Sequence, residues 1–108
     1  MIGRLIVAAT FLALAVDPAF AAGDGTDVTR GHELARAWCA DCHGVERGQL
    51  KGPRAGVPSF AAIVDHPATT ELTARAFLQT PHPTMPNLKL SPAEIDEIVA
   101  YIMSLREP

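Results

Sequence analysis

Residues 39–43 read Cys39-Ala40-Asp41-Cys42-His43, which is the C-x-x-C-H spacing of covalent c-type haem attachment. In this arrangement both thiols add to the vinyl groups on one side of a porphyrin. The histidine that follows directly can reach the iron as the proximal ligand. We therefore predict that Cys39 and Cys42 form thioether bonds to one haem c and that His43 is an axial iron ligand.

The two cysteines have other interpretations. A thioredoxin-like redox pair usually lies near a strand–helix–strand pattern, and this sequence has no convincing strand. A structural zinc site needs two further ligands at matching spacing, and no second C-x-x-C exists. A disulfide forms readily in an oxidising compartment but leaves the adjacent His43 unexplained. Haem attachment accounts for all three side chains, so we prefer it.

The N-terminal residues predict an export signal over residues 1–21. Arg4 gives a short positive start, residues 5–16 form an uncharged apolar run, and Ala19-Phe20-Ala21 has the small residues that a signal peptidase accepts. The run is shorter than the roughly 20 apolar residues that span a bilayer. We expect cleavage after Ala21 and a periplasmic location, with an uncleaved membrane anchor as the alternative.

Cleavage would leave residues 22–108, a length that supports one domain. A core of this size is marginal, and small exported domains usually add disulfides or a cofactor. Both cysteines belong to the motif, so a buried haem would supply the missing apolar surface. The net charge is −3, and removing Arg4 with Asp17 leaves it unchanged. This mild charge does not indicate nucleic-acid binding.

The remaining pattern predicts an all-α fold with three to four helices. Asp27 is a suitable N-cap for a first helix over about residues 28–40. Residues 44–57 have a glycine at every fourth position, which predicts an irregular loop. The helical spacing places four side chains of the first segment on one face: Leu34, Ala35, Trp38 and Cys42.

Three further helices are expected. Ser59 can cap a short turn over residues 60–64, closed by Pro67, and Thr69 or Thr70 can begin a helix to Gln79 with Leu72, Ala76 and Phe77 inward. Ser91-Pro92-Ala93-Glu94 is a capping box with proline at the first helical position. An apolar stripe follows at steps of three and four: Ile95, Ile98, Val99, Ile102 and Leu105.

A second iron ligand is expected in the loop that reads Pro81-His82-Pro83-Thr84-Met85-Pro86-Asn87. The prolines restrict this backbone, and Met85 can present its thioether sulfur to the open face of the iron. A His/Met pair raises the reduction potential. His82 is the rival ligand in the loop. Met103 fits helix packing better, and His32 and His66 fit surface positions better.

The chain resembles the small class I cytochromes c over essentially the whole of residues 22–108. The resemblance implies that Gly31 packs where the first and last helices cross, against Ile98 and Tyr101. It also implies that the carbonyl of Pro53, in Gly52-Pro53, accepts a hydrogen bond from the proximal His43. The Met85-Pro86 and Leu90-Ser91 steps fit the family pattern as well.

The sequence departs from the family at Ala35, where an aromatic residue is common. The neighbouring Trp38 is expected to fill part of that space. Residues 56–80 carry no family motif, so Arg54 and Trp38 are the candidate partners of the haem propionates.

The resemblance implies outer-sphere electron transfer by a protein without substrate chemistry of its own. Its expected partners are a redox donor and acceptor, such as a dehydrogenase, oxidase or reductase, and no nucleic acid. We expect a basic rim beside the haem edge that docks an acidic partner: Arg47, Lys51, Arg54 and Lys89. The alternatives are a fixed cytochrome subunit of a periplasmic dehydrogenase and a haem-based ligand sensor in which a gas displaces Met85.

Overall fold

The computed structural model describes residues 3, 23–80, 85–86 and 88–107, with side chains from residue 27 onward. These residues form four helices, α1 (Gly23–Trp38), α2 (Phe60–Asp65), α3 (Glu71–Gln79) and α4 (Pro92–Ser104). The predicted all-α fold is confirmed. None of the described helices is long and apolar enough to cross a membrane. Apart from Gly3, the export signal and its cleavage site lie outside the described residues, and both stay predictions.

The helix α4 is the centre of the fold, since it contacts each of the other three helices. Its capping box forms as predicted: the Ser91 hydroxyl accepts from the Glu94 amide, and the Glu94 carboxylate accepts from the Ser91 amide. Every residue of the predicted apolar stripe is buried. Tyr101, expected at the edge of this stripe, is buried too. The periodic pattern therefore identified the core face correctly.

Gly31 is the point of closest approach between α1 and α4. A Cβ atom at this position would lie 1.9 Å from the carbonyl oxygen of Glu97 and 2.8 Å from the Cβ atom of Tyr101. Only glycine allows the two backbones to come this close. The family-based prediction that Gly31 lies at the helix crossing is confirmed.

The start of α1 was predicted wrongly. The helix begins at Gly23, so Asp27 lies inside it and is not its N-cap. Gly23 and Gly25 are poor helix formers, and Asp27 is a favoured cap residue, which is why the sequence indicated a later start. Once packing has formed a helix, each residue added to its end gains one backbone hydrogen bond. The helix α1 therefore extends through Gly25 to Gly23.

The short helices α2 and α3 follow the predicted caps. The Ser59 hydroxyl accepts from the Ala62 amide, and Thr70 caps α3 in a reciprocal capping box with Thr73. The predicted inward face of α3 is wrong. Leu72, Ala76 and Phe77 are exposed, whereas Leu78 packs against the core. The helix α3 contacts α4, and Arg75 of α3 pairs with Asp96 of α4.

Candidate haem-binding site

The C-x-x-C-H motif lies in tight turns directly after α1. The Cys39 amide donates to the Ala35 carbonyl at 2.9 Å, and the His43 amide donates to the Cys39 carbonyl at 2.9 Å. These bonds continue the last turn of α1 into the motif. Both cysteines and His43 are therefore held together at one helix end, as the sequence predicted.

The two cysteines are free thiols, Cys39 buried and Cys42 half-buried. Burial, with a smaller contribution from the neighbouring Cys42, raises the pKa of Cys39 to about 11. A thioredoxin-like pair needs a lowered thiol pKa, so this environment disfavours that chemistry. Among the described residues no group of three or more His, Cys, Asp or Glu side chains could hold a metal ion.

The imidazole of His43 is oriented by a backbone carbonyl. Its Nδ1–H donates to the carbonyl oxygen of Pro58 at 2.6 Å. This bond fixes the tautomer and leaves Nε2 as the nitrogen that can bind iron, and it makes the ring a more basic ligand. The resemblance had assigned this role to Pro53. The structure corrects the residue to Pro58 while keeping the interaction.

The path of the loop after His43 explains the correction. Gly52 packs so tightly that a Cβ atom there would lie 2.5 Å from the Gly44 amide nitrogen, and the neighbouring Pro53 is exposed. The chain then turns at Gly56, whose φ of +79° suits glycine. It returns to the motif, where the Phe60 amide donates to the Gly44 carbonyl at 2.8 Å. This return places Pro58 beside His43.

A network that the sequence did not reveal joins α1, α4 and the segment after His43. One carboxylate oxygen of Glu46 accepts from Arg36 Nε at 2.6 Å, and the other lies 2.8 Å from His32 Nε2. The rings of His32 and Tyr101 stack with centroids 4.6 Å apart. We call these four residues the Glu46 cluster. Helical spacing places His32 beside Arg36, but their shared partner on a distant loop has no local signal.

The Glu46 cluster also accounts for the unusual Ala35. Ala35 is fully buried in the core, while Trp38, expected to fill the space of the missing aromatic residue, is 43% exposed. The ring that packs on Tyr101 comes instead from His32, one turn earlier on α1. His32 is therefore half-buried and packed, and not the surface residue that the sequence predicted.

The proposed second ligand, Met85, is half-buried in the segment between α3 and α4. The rival His82 lies outside the described residues. The other rival, Met103, packs against the hydrophobic core, in agreement with its predicted role. Met85 as the iron ligand stays a prediction.

One cleft in the described part of the chain is lined by residues of α3, α4 and the segment after Met85, and not by the cysteines or His43. This cleft of about 320 Å³ opens between the end of α3 and the start of α4. Its apolar lining includes Leu78, Leu88, Leu90 and Ile95. The paired free thiols, with Cys39 in the hydrophobic core, and the imidazole oriented by the Pro58 carbonyl form a donor set that fits haem c.

The four basic residues of the predicted rim are all exposed. They differ in their contacts, because Arg47 donates to the Ser104 carbonyl at 2.8 Å and lies near Glu107. Lys51 and Arg54 make no side-chain ion pair with the described residues. The predicted contact between the haem propionates and Arg54 or Trp38 stays a prediction.

Comparison with known proteins adds an independent finding. Residues 26–102 match the family described as "Cytochrome C oxidase, cbb3-type, subunit III". The chain is also 42% identical over 95 residues to cytochrome c-552 of Bradyrhizobium diazoefficiens, with 88% of this chain and 90% of that protein covered. No solved structure matches the chain. The family match, over residues 26–102, spans the motif, the α1–α4 crossing and the residues of the Glu46 cluster.

Proposed function

We infer that this chain, which belongs to the small class I monohaem cytochromes c, is an exported carrier of single electrons. The family holds one covalently bound haem c with its iron. The observation that best supports the carrier role is the position of His43 beside two free thiols, with its ring oriented by the Pro58 carbonyl. A ring held in this way supports the proposal that His43 is a lasting iron ligand.

The proposed site uses four residues. Cys39 and Cys42 would hold the haem by thioether bonds, and His43 and Met85 would bind its iron through Nε2 and the thioether sulfur. The haem supplies a reversible one-electron change between ferric and ferrous iron. Two protein ligands leave no iron position for a substrate, so we propose a relay without substrate chemistry of its own.

The proposed partners are redox proteins in the periplasm that present acidic surfaces. The exposed cations of residues 47–54 and Lys89 support this, in a chain whose net charge is −3. Contacts between electron-transfer proteins are usually small and transient. A basic patch speeds encounter with an acidic partner and makes the rate sensitive to salt.

A second function is a fixed electron relay inside a larger redox complex. It is favoured by the family description, which names a subunit of a cytochrome c oxidase. A dehydrogenase is the other enzyme class that such a subunit could serve. Size-exclusion chromatography of the native protein from its own periplasm separates the two functions. A free carrier elutes as a small monomer, and a fixed subunit elutes with a large partner.

The carrier proposal is tested on protein matured with a haem-attachment system. We expect one covalent haem per chain, reversible one-electron reduction, and no change in the ferrous spectrum when carbon monoxide is added. Rapid binding of carbon monoxide would indicate that Met85 is displaced and would support the ligand-sensor alternative. Absence of covalent haem would contradict the proposal and favour a disulfide between Cys39 and Cys42.

A further inference from the structure

The Glu46 cluster has no role in the proposed electron transfer, yet it is attached to the segment that carries the proposed iron ligand. Glu46 lies shortly after His43 in the chain and contacts two residues of α1. Its backbone amide also donates to the side-chain oxygen of Gln49 at 3.2 Å. The residue is thus held through both its side chain and its backbone.

We propose that Glu46 is a positioning residue for the axial imidazole of His43, acting through the backbone of residues 43–46. The inference rests on the proposed ligation of iron by His43. It assigns a specific role to contacts between α1 and this segment, at residues that do not touch the haem attachment bonds themselves.

The backbone contacts of this segment support the proposal. The His43 amide bonds the Cys39 carbonyl, the Gly44 carbonyl accepts from Phe60, and the Val45 carbonyl accepts from the Tyr101 hydroxyl at 2.6 Å. These bonds connect the segment to the haem motif, to α2 and to α4. Glu46 adds the connection to α1. We expect loss of the contacts between Glu46 and α1 to shift the backbone of residues 43–46, which begins at His43.

The charges in the cluster keep this connection formed at neutral pH. The hydrogen bond from Arg36 lowers the pKa of Glu46, and His32 adds to the effect. Burial raises the pKa of Tyr101, so its hydroxyl stays protonated and continues to donate. The side chains of Arg36 and Glu46 are 62% and 40% exposed, and ion pairs at such sites add little to global stability. An effect of Glu46 on the orientation of the His43 ring can therefore be separated from an effect on the free energy of unfolding.

The test compares variants of the haem-loaded protein. Glu46→Ala removes both contacts to α1, and Glu46→Gln keeps an acceptor for Arg36. Arg36→Met removes the donor from an exposed position of α1. Glu33→Ala is the matched control. Glu33 lies on α1, as Arg36 does, and its replacement removes one negative charge, as Glu46→Ala does. Glu33 pairs only locally, with Arg30. The readouts are two sets of paramagnetically shifted proton resonances of the ferric protein: those of the haem methyl groups, which depend on both axial ligands, and those of the axial histidine ring, which report the imidazole itself.

We expect Glu46→Ala and Arg36→Met to change the shifts of the haem methyl and histidine ring resonances, while Glu46→Gln restores most of the wild-type pattern and Glu33→Ala leaves it unchanged. Unfolding midpoints should move little in all four variants. A wild-type pattern in Arg36→Met and Glu46→Ala would overturn the proposal, and so would a change of equal size in Glu33→Ala. If Glu46→Ala fails to mature, Arg36→Met decides the outcome alone.

Failure of the underlying function would look different. The wild-type protein itself would then lack a low-spin ferric spectrum with histidine ligation. A wild type with normal low-spin ligation and variants without effect would contradict only the role of Glu46.

Discussion

The backbone of Gly31 lies against the carbonyl of Glu97, with a distance of 1.9 Å from that oxygen to the position a Cβ atom would take. The contact sets the spacing of α1 and α4. Since α1 ends at the haem motif, the same contact fixes where the motif lies relative to the core.

The first prediction is that Gly31→Ala destabilises the haem-loaded protein. The added methyl group meets backbone atoms that cannot rotate away, so α1 and α4 must separate. Forcing extra volume into a packed core typically costs about 1–3 kcal/mol, and we expect the upper end of that range. Denaturant unfolding followed by haem absorbance measures the loss. The control is Ala37→Gly on the exposed face of α1, which should cost about 1 kcal/mol from helix propensity alone. Equal effects would contradict the crossing as described.

The second prediction concerns the hydroxyl of Tyr101. Tyr101→Phe keeps the ring that stacks on His32 but leaves the Val45 carbonyl without its donor. An unsatisfied buried carbonyl costs about 1–3 kcal/mol. We expect a loss in that range in the unfolding free energy. Tyr101→Leu also removes the stack and should lose more. An unchanged unfolding free energy in Tyr101→Phe would mean that the hydroxyl is not bonded in solution.

The third prediction is a pH dependence that comes from Glu46. Because the pKa of Glu46 is lowered in the folded protein, its ionised form stabilises the fold at any pH above the ordinary Glu value of about 4.3. This stabilisation is lost as the pH falls through the lowered pKa. In Glu46→Gln the unfolding free energy should therefore fall less steeply between about pH 5 and pH 3. Glu33→Gln is the control. The change in slope is expected to be small, because both partners are exposed. The decisive measurement is therefore the titration of the Glu46 carboxyl in the folded protein: a pKa at or above the ordinary Glu value would contradict the ion pairs with Arg36 and His32.

The fourth prediction concerns the exposed cations. Lys51→Gln and Arg54→Gln should slow electron transfer to an acidic redox protein at low salt and reduce the dependence of the rate on ionic strength, because each removes one attractive charge. Stopped-flow kinetics measures both effects. Arg30→Gln removes the same charge from a site paired with Glu33 and should matter less. A wild-type rate that stays flat or rises with added salt would contradict an acidic partner.

Local signals in the sequence were sufficient for much of the fold. The Ser91 capping box and the apolar stripe from Ile95 to Leu105 depend on residues of a single helix, so the start of α4 and its buried face could be predicted from spacing. The haem motif is likewise defined by five consecutive residues. The family resemblance correctly added the Gly31 crossing, which spacing alone does not show.

The contacts that were missed depend on how distant segments meet. Pro58 reaches His43 only because the loop returns to Gly44, and nothing near either residue in the chain indicates this. The ring of His32 stacks on Tyr101 across the helix crossing, so its position follows from the packing of α1 on α4. The exposed face of α3 was predicted wrongly for a related reason, since periodicity does not say which partner a helix meets.

The central claim is ligation of the iron by His43 and Met85, and the far-red absorption of the oxidised protein tests it most directly. We predict low-spin bands with the weak methionine–iron band in the wild type and in His82→Ala and Met103→Ala. Met85→Ala should lose that band and have a lower reduction potential. Persistence of the band in Met85→Ala would contradict the account. A low-spin wild type without the band, changed by His82→Ala, would assign the ligand to His82 instead.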